Sequence, residues 1–182
     1  MDELVDIWSA DGEPTGQTAL KSEAHRQGLW HPTAHVWFYT DRGEILLQRR
    51  SETKATDPGL WDVSVAGHID AGETIREGAL REIREEIGLE VPPTALEAIG
   101  VFPSDRQHPG GICDREFNHV FLCRLNSPLN QLRPQEEEVA ALRLMPYTRL
   151  AEEAWGLARP GSYVPHGPKY YGTIIREIKK RL

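Results

Sequence analysis

The stretch from Gly67 to Leu89, GHIDAGETIREGALREIREEIGL, constrains this chain more than any other. It opens as a loop holding two glycines, Gly67 and Gly72, and its pattern predicts a helix from about Thr74 to Ile87, stopped by Gly88. Thr74 has Glu77 three residues on, the spacing at which an N-cap hydroxyl and a carboxylate each satisfy an orphan amide of the other. Gly88 stands where a helix needs a left-handed residue. Ala79, Leu80, Ile83 and Ile87 recur at helical spacing and form one apolar face. Glu82, Glu85 and Glu86 fall at i, i+3 and i+4, so three carboxylates project from a neighbouring face. Like charges at that spacing repel, which costs a helix roughly a few tenths of a kcal/mol. A hard divalent cation turns the repulsion into attraction; Mg²⁺ in particular takes oxygen ligands and is shared with substrate phosphates. The alternative is a solvated acidic face balanced by Arg76, Arg81 and Arg84.

The loop before the helix weighs against that alternative. Taken together, loop and helix resemble the Nudix box, the signature of the Nudix hydrolase superfamily: a glycine, five residues, a glutamate, seven residues, then Arg-Glu-aliphatic, any residue, Glu-Glu, any residue, Gly-aliphatic. Here those positions read Gly67, Glu73, Arg81-Glu82-Ile83, Glu85-Glu86 and Gly88-Leu89, and every specified position matches. So many fixed residues at fixed spacing are far more specific than a lone glycine-rich motif.

The resemblance implies an α/β fold, an α/β/α sandwich with a mixed sheet and the box as loop-helix-loop. It implies hydrolysis of a nucleoside diphosphate linked to a second group, with Mg²⁺ as cofactor and Mn²⁺ as an alternative. By position in the box, Glu82, Glu85 and Glu86 bind metal, joined by the Gly67 carbonyl, while Glu73 and Arg81 brace loop against helix. The general base is Glu85 or lies outside the box, at Glu116 or in the run Glu136, Glu137 and Glu138; a solvated loop explains that run equally well.

The remaining sequence fits such an enzyme. A chain of 182 residues suggests one domain over 1–182, with an N-terminal strand and helix extension over 1–30 and a C-terminal helix over 169–182. Hydrophobic residues at 39% and charged residues at 27% are ordinary for a soluble globular protein. A formal net charge of −7 disfavours a nucleic-acid polymer as partner, and a polyanionic small molecule then needs local cations or metals. Cys113 and Cys123 make no metal-type pair, which fits a reducing cytoplasm. No apolar run reaches membrane-span length, and no basic start leads into an apolar secretion signal. A homodimer is left open.

Along the chain, Leu4 to Trp8 reads as a strand and Lys21 to Gln27 as a helical turn ended by Gly28. Strands are expected at Thr33 to Thr40, Ile45 to Arg49, Val63 to Ala66, Leu96 to Phe102, Glu116 to Leu125 and Val139 to Met145. Residues 103–113, polar and rich in Gly and Pro, read as a loop. A helix is expected over Pro146 to Trp155, a loop over 156–168, and a last helix from Lys169 with Tyr171, Ile174, Ile175 and Ile178 as its apolar face. Arg49 and Arg50 are candidates to hold a phosphate, one of the two because neighbours on a strand face opposite ways. Lys54 reads better as a solvated loop edge. Lys169 would reach a phosphate if the loop Pro165 to Pro168 covers the site. Trp30, Trp37, Phe102, Tyr163, Tyr170 and Tyr171 would stack a ring or serve the core.

A second resemblance lies outside the box. WDVSVAGH, residues 61–68, with His31 upstream and Glu116 downstream, looks like isopentenyl diphosphate isomerase, an enzyme of the same fold. The likeness implies metal ligands at His31, His68 and Glu116, with Asp114 and His25 as weaker matches. The isomerase's active-site cysteine aligns with Ala66, which has no proton to exchange, and the box is complete. The chain therefore reads as a hydrolase from an isomerase-like branch. A diphosphate-binding module without catalysis is a third alternative, weakened by the intact glutamates.

Overall fold

The computed structural model describes residues 1–155, 159 and 161–182. Its centre is β3 (His31–Tyr39), buried along its whole length. A strand turns successive side chains to opposite faces, so β3 is buried only because both faces are covered. Ala34, Val36 and Phe38 pack with Ala79, Ile83 and Ile87 of α2 (Ile75–Ile87) on one side. Trp37 and Tyr39 pack with Tyr170, Tyr171, Ile174 and Ile178 of α4 (Pro168–Lys179) on the other. This is the sandwich with a mixed sheet expected above.

Among the described residues the sheet has seven strands. β3 runs parallel to β8 (Ile112–Arg124), which pairs antiparallel with β7 (Glu97–His108). On its other edge β3 meets β4 (Glu44–Arg50) and β6 (Val65–His68), while β4 pairs with β5 (Trp61–Asp62) and β9 (Val139–Pro146). Ahead of it, β1 (Leu4–Trp8) and β2 (Pro14–Leu20) form a separate two-stranded ribbon, followed by α1 (Lys21–Gln27), which stops at Gly28 with φ 63°.

The strand expected at Val63 to Ala66 lies two residues further on, as β6, with the unforeseen β5 before it. Three more elements depart from expectation. β2 was not foreseen: PTGQTAL carries no apolar alternation and is almost wholly exposed. Residues 103–108, read as loop, continue β7 as an edge strand opposite β8, with the turn at Pro109–Gly111. Pro103 is tolerated because an edge strand need not donate outward. The helix expected over Pro146 to Trp155 is a short α3 (Tyr147–Leu150) running into a π-helical turn, Ala151–Trp155. Residues 156–158 and 160 of the following expected loop lie outside the described residues.

Candidate active site

Helix α2 begins as its sequence demands. Thr74 accepts from the Glu77 amide, and Glu77 accepts from the Thr74 amide at 2.8 Å. Arg81 then ties the box together. Its guanidinium grips Glu73 through Nε at 2.9 Å and Nη2 at 3.0 Å, donates to the His68 carbonyl at 2.8 Å, and donates through Nη1 to Glu82 at 2.8 Å and Glu85 at 3.1 Å. Loop and helix are thereby locked in one arrangement, and two carboxylates are aimed by a single cation.

Gly67 makes room for this packing. A Cβ there would lie 2.0 Å from the Glu82 carboxyl carbon, so the carboxylate occupies the space a side chain would fill. Glu82 and Glu86 are only 7% and 4% exposed. Burial pushes Glu82 up to about 7, and burial together with the neighbouring Glu82 carries Glu86 well above the usual carboxylate range. Glu86 accepts from Gln48 Nε2 at 3.0 Å and the Ala66 amide at 3.3 Å. Glu85 is half exposed. Two buried carboxylates that resist ionisation, beside a third at the surface, suit a hard divalent cation that would supply the missing positive charge.

A second group lies around the other face of β6. Register places His31 beside Glu116 and Thr33 beside both His68 and Asn118. Ligand atoms of His25, His31, His68 and Glu116 all lie within 4.8 Å of one another. His31 Nδ1 sits 2.8 Å from the Leu29 carbonyl, which needs a proton there and leaves Nε2 as a lone pair. The Nε2 atoms of His25, His31 and His68 are all buried without a hydrogen-bond partner among the described residues. Burial lowers the His25 ring to about 4 and also depresses His68. Burial disfavours ionised Glu116, but the His31 and His68 rings beside it, with Nε2 3.7 and 3.5 Å from its Oε1, outweigh burial and hold the carboxyl well below its ordinary range. Burial opposes protonation of His31, but Glu116 beside it raises the ring above its ordinary value. Three imidazoles and one carboxylate gathered at one point fit a divalent metal, which would take the place of the proton between His31 and Glu116. Asp114 stands beside this group, 3.5 Å from His25 Nε2 and 3.0 Å from His108 Nε2.

Both groups open on one cavity of about 420 Å³. Four cations line it: Lys21, Arg50, Lys54 and Arg106. Each has a carboxylate partner, Lys21 with Glu3 at 2.7 Å, Lys54 with Glu138, Arg50 with Asp62 at 3.5 Å, and Arg106 with Asp57 at 2.7 and 2.9 Å. Of the sequence candidates, Arg50 lines the cavity and Arg49 does not. Arg49 is turned outward, donating to the Gly59 carbonyl and Glu52. Lys169 is exposed on the first turn of α4 and also misses the cavity, whereas its neighbour His166 reaches in. Glu137 and Glu138 line the cavity and Glu136 does not. No local pattern marks Lys21 and Arg106, because one opens the short α1 and the other lies in the polar outer half of β7.

Known proteins resemble this chain in sequence and in fold. The NUDIX domain family model matches residues 29–165. Nudix hydrolase 3 of Arabidopsis thaliana is 39% identical over 99% of this chain, which spans 24% of that longer protein. An isopentenyl-diphosphate Delta-isomerase of Streptomyces avermitilis is 33% identical over 82% of this chain and 74% of its own. Among solved structures, a protein from Deinococcus radiodurans superposes with a TM-score of 0.67 over 98% of both chains at 20% identity.

Proposed function

The chain belongs to the Nudix family, whose hydrolases act on diphosphate-containing compounds, and on that footing we propose that it is a Mg²⁺-dependent hydrolase of a nucleoside diphosphate linked to a second group, or of a related organic diphosphate. The observation that carries this reading is the pair of buried carboxylates, Glu82 packed against Gly67 and Glu86 held by the Ala66 amide, beside a cavity with four cations. Mn²⁺ is an alternative ion for the same oxygen ligands.

Glu82, Glu85, Glu86 and the Gly67 carbonyl would hold the cation. When bound, it neutralises diphosphate oxygens and lowers the pKa of a coordinated water. The remaining work falls to the chain. Arg50, Lys54, Arg106 and Lys21 exchange their carboxylate partners for phosphate oxygens and fix the phosphorus in place. Arg81 keeps Glu82 and Glu85 aimed, with Glu73 holding Arg81. The half-exposed Glu85 carboxylate, held through Oε2 by Arg81, takes the proton of the attacking water on its other oxygen, with Glu116 as the second base within the same cavity.

His25, His31, His68 and Glu116 favour a second reading, an isomerase acting on isopentenyl diphosphate through a metal held there. Ala66 disfavours it, because the side chain beside His35 has no proton to give or take. In a hydrolase the same four residues would hold a second divalent cation near the phosphates. We further read residues 1–182 as one Nudix domain acting in the cytoplasm; the two buried cysteines, Cys113 and Cys123, are free. Phosphorus NMR with Mg²⁺ over a panel of nucleotide sugars, dinucleotides and isopentenyl diphosphate tests the proposal. New monophosphate or phosphate signals support it; an intact diphosphate with loss of vinyl protons overturns it in favour of the isomerase.

A further inference from the structure

One end of the cavity is lined by groups that the diphosphate chemistry does not use: His35, His166, Asn118 and Ala66. His35 is opposite Ala66 in the register of β3 and β6 and is only 5% exposed. Its Nδ1 lies 2.7 Å from the Tyr170 hydroxyl oxygen, which also accepts from Trp37 Nε1 at 3.0 Å. Indole N–H is a donor only, so the hydroxyl has one proton left to place, and the acceptor in reach is His35 Nδ1. That assignment puts the imidazole proton on Nε2. Burial holds the ring neutral by lowering its pKa to about 4, and Tyr170 stays a phenol because burial raises it well above 10. His35 Nε2 makes no hydrogen bond among the described residues, so the cavity is offered a fixed N–H donor. Asn118 adds to it: its carbonyl oxygen is taken by the Thr33 hydroxyl at 2.7 Å, leaving the amide N–H groups to donate.

This geometry suits one kind of guest. A hydrocarbon seated against His35 would leave a buried donor unpaired, whereas an acceptor atom would satisfy it. On the footing that this cavity binds a diphosphate, we propose that the organic group of the substrate is received through a carbonyl oxygen or ring nitrogen, as on a nucleobase, at His35 Nε2–H, and that a hydrocarbon group is rejected. His35 sets the specificity, and Tyr170 is a positioning residue that fixes its tautomer. His166 closes the same wall. Its ring stacks on Tyr170 at 4.4 Å between centroids and its Nε2 is held by Asp62 at 2.7 Å. Asp62 is an acceptor, so Nε2 carries the proton that bonds it.

Binding of non-hydrolysable analogues to the full chain with Mg²⁺, followed by calorimetry, tests this without requiring turnover. The probes are the α,β-methylene analogues of uridine and adenosine diphosphate, the methylene analogue of isopentenyl diphosphate, and methylenediphosphonate itself. At least one nucleoside analogue is expected to bind roughly 10-fold or more tightly than the isopentenyl analogue. His35→Leu should bring that ratio close to one while binding of methylenediphosphonate is kept. Tyr170→Phe should narrow the ratio and, in imidazole ¹³C and ¹⁵N spectra, release His35 from the Nε2-protonated tautomer that the unmodified protein shows. Binding of methylenediphosphonate with no preference between the analogues, or a His35 protonated on Nδ1 in the unmodified protein, overturns the inference and leaves the diphosphate reading standing. Failure of methylenediphosphonate to bind overturns both.

Discussion

At the scale of single residues, Glu82 and Glu86 are held where burial raises them, and Glu85 stands half exposed beside them. On the roles proposed above, Glu85→Gln would remove a ligand charge and a proton acceptor from a half-exposed position. Metal-dependent turnover should fall at least 100-fold while the melting temperature stays within a degree or two, since the change also relieves like-charge repulsion. Gly67→Ala has the opposite balance. Its new Cβ meets Glu82 at 2.0 Å, so the carboxylate must move, and both Mg²⁺ affinity and stability should fall, read by titration calorimetry and melting of the same sample. The grouping of the three box glutamates beside Gly67 was legible because a fixed spacing carried it. Lys21, Arg106, His35 and Asp62 were not, because what makes them neighbours is the pairing of β3, β6, β7 and β8, which no local pattern announces.

At the scale of elements, α2 was legible to the residue at both ends because its signals are local. The Thr74 and Glu77 pair opens it and Gly88, at φ 65°, closes it. Thr74→Ala should cost about 1 kcal/mol of stability, measured by urea unfolding, and should leave turnover nearly unchanged, because Arg81 rather than the cap aims the carboxylates. Arg81→Lys should do the reverse, lowering turnover more than stability, since an ammonium cannot hold Glu73 through two parallel bonds and still reach Glu82 and Glu85. β2 and the outer half of β7 were illegible for a common reason. Both are edge segments with little buried apolar surface, and their strand character comes from backbone pairing to β1 and β8.

At the scale of the whole molecule, two sets of buried groups pull stability in opposite directions with pH. His35 and His25 keep their neutral form down to about 4, while an unfolded histidine protonates near 6.5. Their contribution is therefore complete above 6.5 and is lost as pH falls toward 4, worth roughly 3 kcal/mol for fully buried His35. Glu82 keeps its proton up to about 7, while an unfolded glutamate releases it near 4.5. Its contribution is complete below 4.5 and is lost as pH rises toward 7. Metal-free protein should accordingly lose stability on both sides of a mildly acidic optimum, and Mg²⁺ should restore the neutral side only. Melting curves in chelator against pH check this, with Glu82→Gln expected to flatten the neutral limb and His35→Leu the acid limb. The mixed sheet between two helices was legible from the order of elements. The joining of two metal-suited groups at one cavity was not, because it depends on both faces of β6 reaching the same opening.

The most direct test of the central claim is phosphorus NMR of the pure protein with a nucleotide sugar or dinucleotide panel and isopentenyl diphosphate, run with Mg²⁺ and again with chelator. Cleavage of a diphosphate in the Mg²⁺ samples, absent with chelator and absent from the Glu85→Gln protein, is the expected result. Diphosphates that stay intact while isopentenyl vinyl protons disappear would contradict it, and would make the His25, His31, His68 and Glu116 group, rather than the box, the centre of the chemistry.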